Sequence, residues 1–257
     1  MTDPLSDRNL VEDDPELTEE ELASRQQFAE EDGKDLEEDE MELSKDTMNL
    51  VEEFQCLPTR YVHASWIEEV PHRDLVKKLQ GIEVSEPFVS QYILETFELS
   101  RDDFFDPDDE LSLLAATTDA DQWRKIIRSC GAVMNSSQLK TIVDGIRQKK
   151  IRQELGSDLF GFAISRASFL TRHFFGHLYP PYDDWQNFVQ FTQYLDFCGV
   201  RCLGQAYGAI PREVCQRLLF RLPKELSPHF IYGQEDADEE KSRQAALLIY
   251  KLYKEVT

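Results

Sequence analysis

Nothing in the chain approaches the run of roughly 20 consecutive apolar side chains that crosses a bilayer. The first residues also lack the basic start and apolar stretch of a secretory signal. The expectation is therefore a protein made and kept in the cytosol, with no direct membrane insertion. Basic charge is scarce: 28 Lys and Arg stand against 50 Asp and Glu, a net charge of −22. A surface of that sign repels phosphate backbones, so nucleic acid is not an expected partner. Cysteines are few and odd in number, and Cys56, Cys130, Cys198, Cys202 and Cys215 follow no repeating spacing. Reduced, partly buried thiols are expected rather than a disulfide framework. The 11 glycines are scattered, form no phosphate-binding loop, and in many cases fall at predicted helix ends, where C-capping accounts for them. Strand alternation longer than four residues and fixed-period repeats are absent too, which leaves an all-α chain.

The acidity is local. Residues 1–50 hold 19 Asp and Glu against 4 Lys and Arg, whereas the rest of the chain holds 31 against 24. The expected division is an acidic disordered tail over 1–46 and a single irregular multi-helix domain over 47–257, its folded part beginning near Phe54. The tail has two weaker patterns, Leu17 to Phe28 and a stretch anchored by Met41, Leu43, Met48 and Leu50; its expected role is solubilising or regulatory. Downstream, Pro87 and Pro211 mark helix starts, and Asp119 or Asp121 caps a helix burying Trp123, Ile126, Ile127 and Cys130 before Gly131. An aromatic helix capped by Asp183 or Asp184 ends near Gly199, and Val200 to Tyr207 forms another short one. The last helix carries Leu247, Leu248, Tyr250 and Leu252.

Leu139 to Leu170 is the most informative stretch. Leu139, Ile142, Val143 and Ile146 recur at helical spacing behind Ser136 or Ser137, predicting one amphipathic helix. Gly156 stands where a C-cap glycine belongs, and a second helix carries Leu159, Phe162, Ala163, Phe169 and Leu170. The first arm of this hairpin is basic: Lys140, Arg147, Lys149, Lys150 and Arg152 face only Asp144 and Glu154. A solvated outer face explains such a ridge, as does docking of an acidic partner. Arg147, Lys149, Lys150 and Arg152 are the candidate partner-binding residues.

Candidate chemistry is thin. His173 and His177, four apart, could join Cys198 and Cys202 in a zinc site of the His2Cys2 type, which would make a metal-dependent enzyme. Both segments are crowded with aromatic residues, however, and packing accounts for all four side chains. No cysteine has a nucleophile signature, and the carboxylates at Asp102, Asp103, Asp106, Asp108 and Asp109 lack the spacing of a calcium loop. The 28 aromatic residues serve a core and leave room for an interface patch. The residues thus predict a non-enzymatic interaction module that needs no cofactor and no metal.

Several islands in order resemble a known family. Cys56, Pro58, Tyr61 and His63 echo its "CP..Y.H" segment, although Leu57 separates Cys56 from Pro58. Gly131 matches a helix ending in glycine. Ile151, Arg152, Leu155, Gly156, Asp158, Leu159, Phe162 and Ala163 follow "IR...LR..LG.DL..FAL", and Arg221 to Leu226 reads like its "RLP" element. Together they resemble the K subunit of type III secretion sorting platforms, the SctK or YscK family, over residues 52–226. The acidic tail and the acidic run Glu235 to Glu240 depart from that pattern. The resemblance implies a cytoplasmic adaptor beneath the inner-membrane ring of the injectisome. Its partners would be the SctD-like ring protein's cytoplasmic domain and the SctQ-like pod protein, and through the latter the ATPase complex. A secretion chaperone or regulator is the rival reading.

Overall fold

In the computed structural model, residues 43–142, 144–165, 182 and 188–256 are described. The chain divides into two units, 1–43 and 44–257, and the first lies outside the described residues apart from Leu43. The described residues are helical and contain no strand. Among the described residues the first helix starts at Lys45, ahead of the start expected near Phe54. Ser44 accepts from the Thr47 amide, which caps α1 (Lys45–Cys56), and Phe54 anchors its far end in the core while Met48 and Leu50 stay exposed. A 3-10 turn (Pro58–Arg60) then leads into α2 (Ala64–Ile67), α3 (Arg73–Leu79) and α4 (Glu86–Thr96). Gly81, at φ 81, makes the turn after α3 that a side chain would resist.

Next come α5 (Glu110–Thr117) and α6 (Ala120–Met134). Of the two expected caps, Asp119 is the one used, and with Gln122 it forms a reciprocal capping box at the start of α6. Gly131 does not end this helix: α6 runs one turn further, to Met134. The basic arm is also not one helix. It breaks into α7 (Ser136–Thr141) and α8 (Gly145–Leu155), because Asp144 caps a fresh start by accepting from the Ile146 amide. Only after Gly156 does the predicted turn appear, leading to α9 (Ser157–Ser165).

The central element is α10 (Phe188–Ala206), which passes through Gly199 without a break, so the two predicted helices are one. Then follow α11 (Arg212–Phe220), a 3-10 turn (Lys224–Leu226), α12 (Ser227–Glu235), not among the expected helices although Pro228 stands in its first turn, and α13 (Glu239–Val256). Helix α10 lies against α6, α12 and α13. Close approach explains its glycines. A β-carbon on Gly199 would come within 1.9 Å of the Ile127 carbonyl oxygen, and one on Gly204 within 2.0 Å of that of Phe230. Gly233 meets Arg201 in the same way. With no side chain at these points, the helix backbones touch, closer than ordinary side-chain contacts permit.

Among the described residues two apolar cores result. The larger gathers Phe54, Trp66, Trp123, Tyr207, Phe220 and Phe230. The smaller joins Leu139, Ile151, Leu155, Phe160, Phe191 and Leu195 under the α8–α9 hairpin. Ile146, predicted on the buried face, is 71% exposed, because Ile151 and Leu155 point inward from the opposite side of α8.

Candidate interaction surface

The motif islands near the two ends of the folded unit meet in space. Tyr61 donates its hydroxyl to the Phe54 carbonyl at 2.5 Å, and burial pushes that phenol well above its ordinary range. The buried Arg221 guanidinium stacks over the Tyr61 ring at 4.7 Å and donates to the Ala116 carbonyl. His63 caps α2 through Nδ1, which accepts from the Ser65 amide, and its own amide donates to the Phe220 carbonyl. Trp66 Nε1 donates to both Leu219 and Leu222 carbonyls. Cys56, Pro58, Tyr61, His63 and the Arg221–Pro223 turn therefore belong to one packed layer. Their contacts hold these segments together.

Arg217 adds a second tie nearby. It is 2% exposed, yet its guanidinium meets the Asp103 carboxylate at 3.1 Å and donates to the Ser100, Gln55 and Glu213 carbonyls. Asp103, one of the carboxylates weighed as a calcium ligand, is thus an ion-pair partner. A buried guanidinium is tolerable only when its donors are filled in this way.

The hairpin has a different character. Ile151 and Leu155 of α8 and Phe160 and Ala163 of α9 are buried in the smaller core. Gly156, at φ 84, makes the turn between them, and nothing lies within 4 Å of where its β-carbon would stand. The four candidate residues Arg147, Lys149, Lys150 and Arg152 are all exposed. They do not form a single row. At about 100° per residue, Lys149 and Lys150 share the outermost face with Ile146, whereas Arg147 and Arg152 fall on opposite flanks. Arg147 lies 3.6 Å from Asp144, and the Arg152 guanidinium lies over the Phe160 ring at 5.2 Å. The outer face of α8 is thus Lys149, Lys150 and Gln153 around an exposed isoleucine.

Over residues 51–257 the sequence matches the family model described as YOP proteins translocation protein K (YscK). The chain belongs to the YscK family. Its fold is similar to a solved structure, the cytoplasmic domain of the T3SS sorting platform protein PscK from P. aeruginosa, with a TM-score of 0.52 at 18% identity. That likeness covers 80% of this chain and 94% of the PscK chain. No curated protein matches.

Cys198 and Cys202 lie on the inner face of α10, both buried, with Cys130 of α6 next to Cys202. Burial pushes the Cys198 thiol up to about 11 and the Cys215 thiol up to about 12. Such thiols stay protonated, short of the thiolate a nucleophile needs. His173 and His177 lie outside the described residues, as do Phe169 and Leu170. Among the described residues no group of His, Cys, Asp and Glu could hold a metal ion, and no helix is long and apolar enough to cross a membrane. Sequence reasoning missed a groove beside the hairpin, about 600 Å³ in volume, between α6, the α8–α9 turn and the end of α13. Its walls come from three separated segments, and only the tertiary structure brings them together.

Proposed function

We propose that the protein is a non-catalytic adaptor of a type III secretion sorting platform. It joins the cytoplasmic domain of an SctD-like inner-membrane ring protein to an SctQ-like pod protein, and through the pod to the ATPase complex. It stands on the cytoplasmic side, peripheral to the inner membrane at the base of the injectisome. Membership of the YscK family over residues 51–257 carries this reading. The exposed α8 face, with Ile146 between Lys149 and Lys150 and with Arg147 and Arg152 on its flanks, supports it as a docking surface for an acidic partner. An apolar centre with a charged surround is the usual make-up of an interface patch. Residues 1–46 we assign a solubilising or regulatory role, separate from the helical domain 47–257.

Co-purification from cells carrying the whole secretion system tests the proposal. The tagged full chain is expected to retain both the ring protein and the pod protein. Retention of exported effectors, with neither platform protein present, would replace the adaptor reading with that of a secretion chaperone.

A further inference from the structure

The groove between α6, the α8–α9 turn and α13 has a composition that neither the fold nor the α8 ridge explains. One wall is cationic: Arg124, Lys125 and Arg128 project from a little over one turn of α6. Arg128 is fixed by two bonds to Asp196, at 2.9 and 2.6 Å, and Arg124 makes an exposed pair with Asp121. Lys125 is exposed and has no carboxylate partner among the described residues. Lys125 is thus the cation of this wall that neither pair engages. The opposite wall is apolar. Leu159 and Phe162, three apart on α9 and so on one face, are only partly covered although both pack against the cores.

We infer that this groove seats a short acidic segment of a partner protein, with apolar anchors on Leu159 and Phe162 and carboxylates toward Arg124 and Lys125. The inference rests on the adaptor reading and gives the chemistry that one of the two partners presents. The volume, about 600 Å³, suits a few side chains of a peptide rather than the surface of a folded domain. Asp158 and Glu255 also line the groove. They repel a segment that is acidic all round, so the seated segment is acidic on one flank only. A free inorganic anion would leave the apolar wall unused, which is why the occupant is a peptide.

The test uses the purified full chain with the purified ring cytoplasmic domain and pod protein, and affinity measured by biolayer interferometry. Wild type is expected to bind both. Arg124→Glu with Lys125→Glu, two exposed positions that leave the melting temperature in place, is expected to weaken one partner at least tenfold and spare the other. A carbodiimide that couples amines directly to carboxylates should join Lys125 to an Asp or Glu of the affected partner, within a segment that also carries large apolar residues. Lys125→Arg should abolish that crosslink and keep the affinity, because the charge remains. If the double reversal leaves both affinities unchanged, the groove assignment falls and the adaptor reading stands. Should wild type bind neither protein, the adaptor reading itself falls, and the groove inference with it.

Discussion

Gly131 of α6 and Leu195 of α10 approach so closely that a β-carbon on Gly131 would stand 2.0 Å from the Leu195 carbonyl oxygen. One turn away the relation is reversed, with Gly199 of α10 against the Ile127 carbonyl of α6. The two helices therefore run antiparallel, locked at two points where only hydrogen fits. Gly131→Ala or Gly199→Ala must push the helices apart, and each is expected to destabilise by about 1–3 kcal/mol, the cost of overpacking a filled core. Urea denaturation measures it. Gly161→Ala is the control: it lies within α9 with nothing near its β-carbon position, so the same change should stabilise by up to about 1 kcal/mol.

Arg217→Ala is expected to be among the most damaging single changes, at about 3–5 kcal/mol, since it strands the Asp103 carboxylate and the carbonyls of Ser100 and Gln55. Arg217→Lys should recover only part of that loss, because one ammonium cannot span a carboxylate and several separate carbonyls as the planar fork does. A melting curve in which the lysine variant equals wild type would refute the fork argument.

His229 stacks on Phe197, ring centroids 4.1 Å apart, and burial, followed by the nearby Arg201, holds its pKa below the ordinary value of 6.5. The unfolded chain therefore takes up this proton before the native protein does. The contribution to stability is full above pH of about 6.5 and is lost as pH falls through that value toward the lower native pKa. His229→Phe keeps the stack and removes the proton, so it should flatten the decline in stability between about pH 7 and 5. The difference is expected to be at most about 1 kcal/mol, since the ring is partly exposed and its charge screened. Identical pH profiles for the two proteins would count against it.

Thiol accessibility separates Cys56 from the rest. Cys130, Cys198, Cys202 and Cys215 are buried, while Cys56 is half-buried. In native protein Ellman's reagent should titrate one thiol slowly, Cys56 being held above its normal range chiefly by burial, and all five in guanidinium. Fast reaction of two or more native thiols would contradict the packing around α10.

Lys149→Glu with Lys150→Glu reverses the outer face of α8 at exposed positions. Stability should shift by no more than about 0.5 kcal/mol, while binding to the acidic partner weakens and loses its dependence on salt. Unchanged partner affinity would remove this ridge from the interface.

Much of the helical layout was legible locally. The Asp119 cap, Pro87, Pro211 and the turn glycine Gly156 act within one turn of chain, so a linear reading finds them. The basic arm misled because Asp144 is as good a helix cap as it is a surface charge. A break there rotates Ile146 outward and brings Ile151 and Leu155 to the core. Gly131 and Gly199 misled for the opposite reason: a glycine at a helix end and a glycine at a helix crossing look alike until the crossing partner is known.

The sequence by itself determined that this protein is helical, that its acidity is concentrated in the first 50 residues, and which family it resembles. These follow from periodicity, capping and composition, all properties of neighbouring residues. Only the tertiary structure decided that Tyr61 and Arg221 are one packed pair, that α6 and α10 meet backbone to backbone, and that Lys125 and Phe162 border one groove. Each of those depends on segments distant in the chain being brought together by burial of apolar surface, a force with no direction along the sequence.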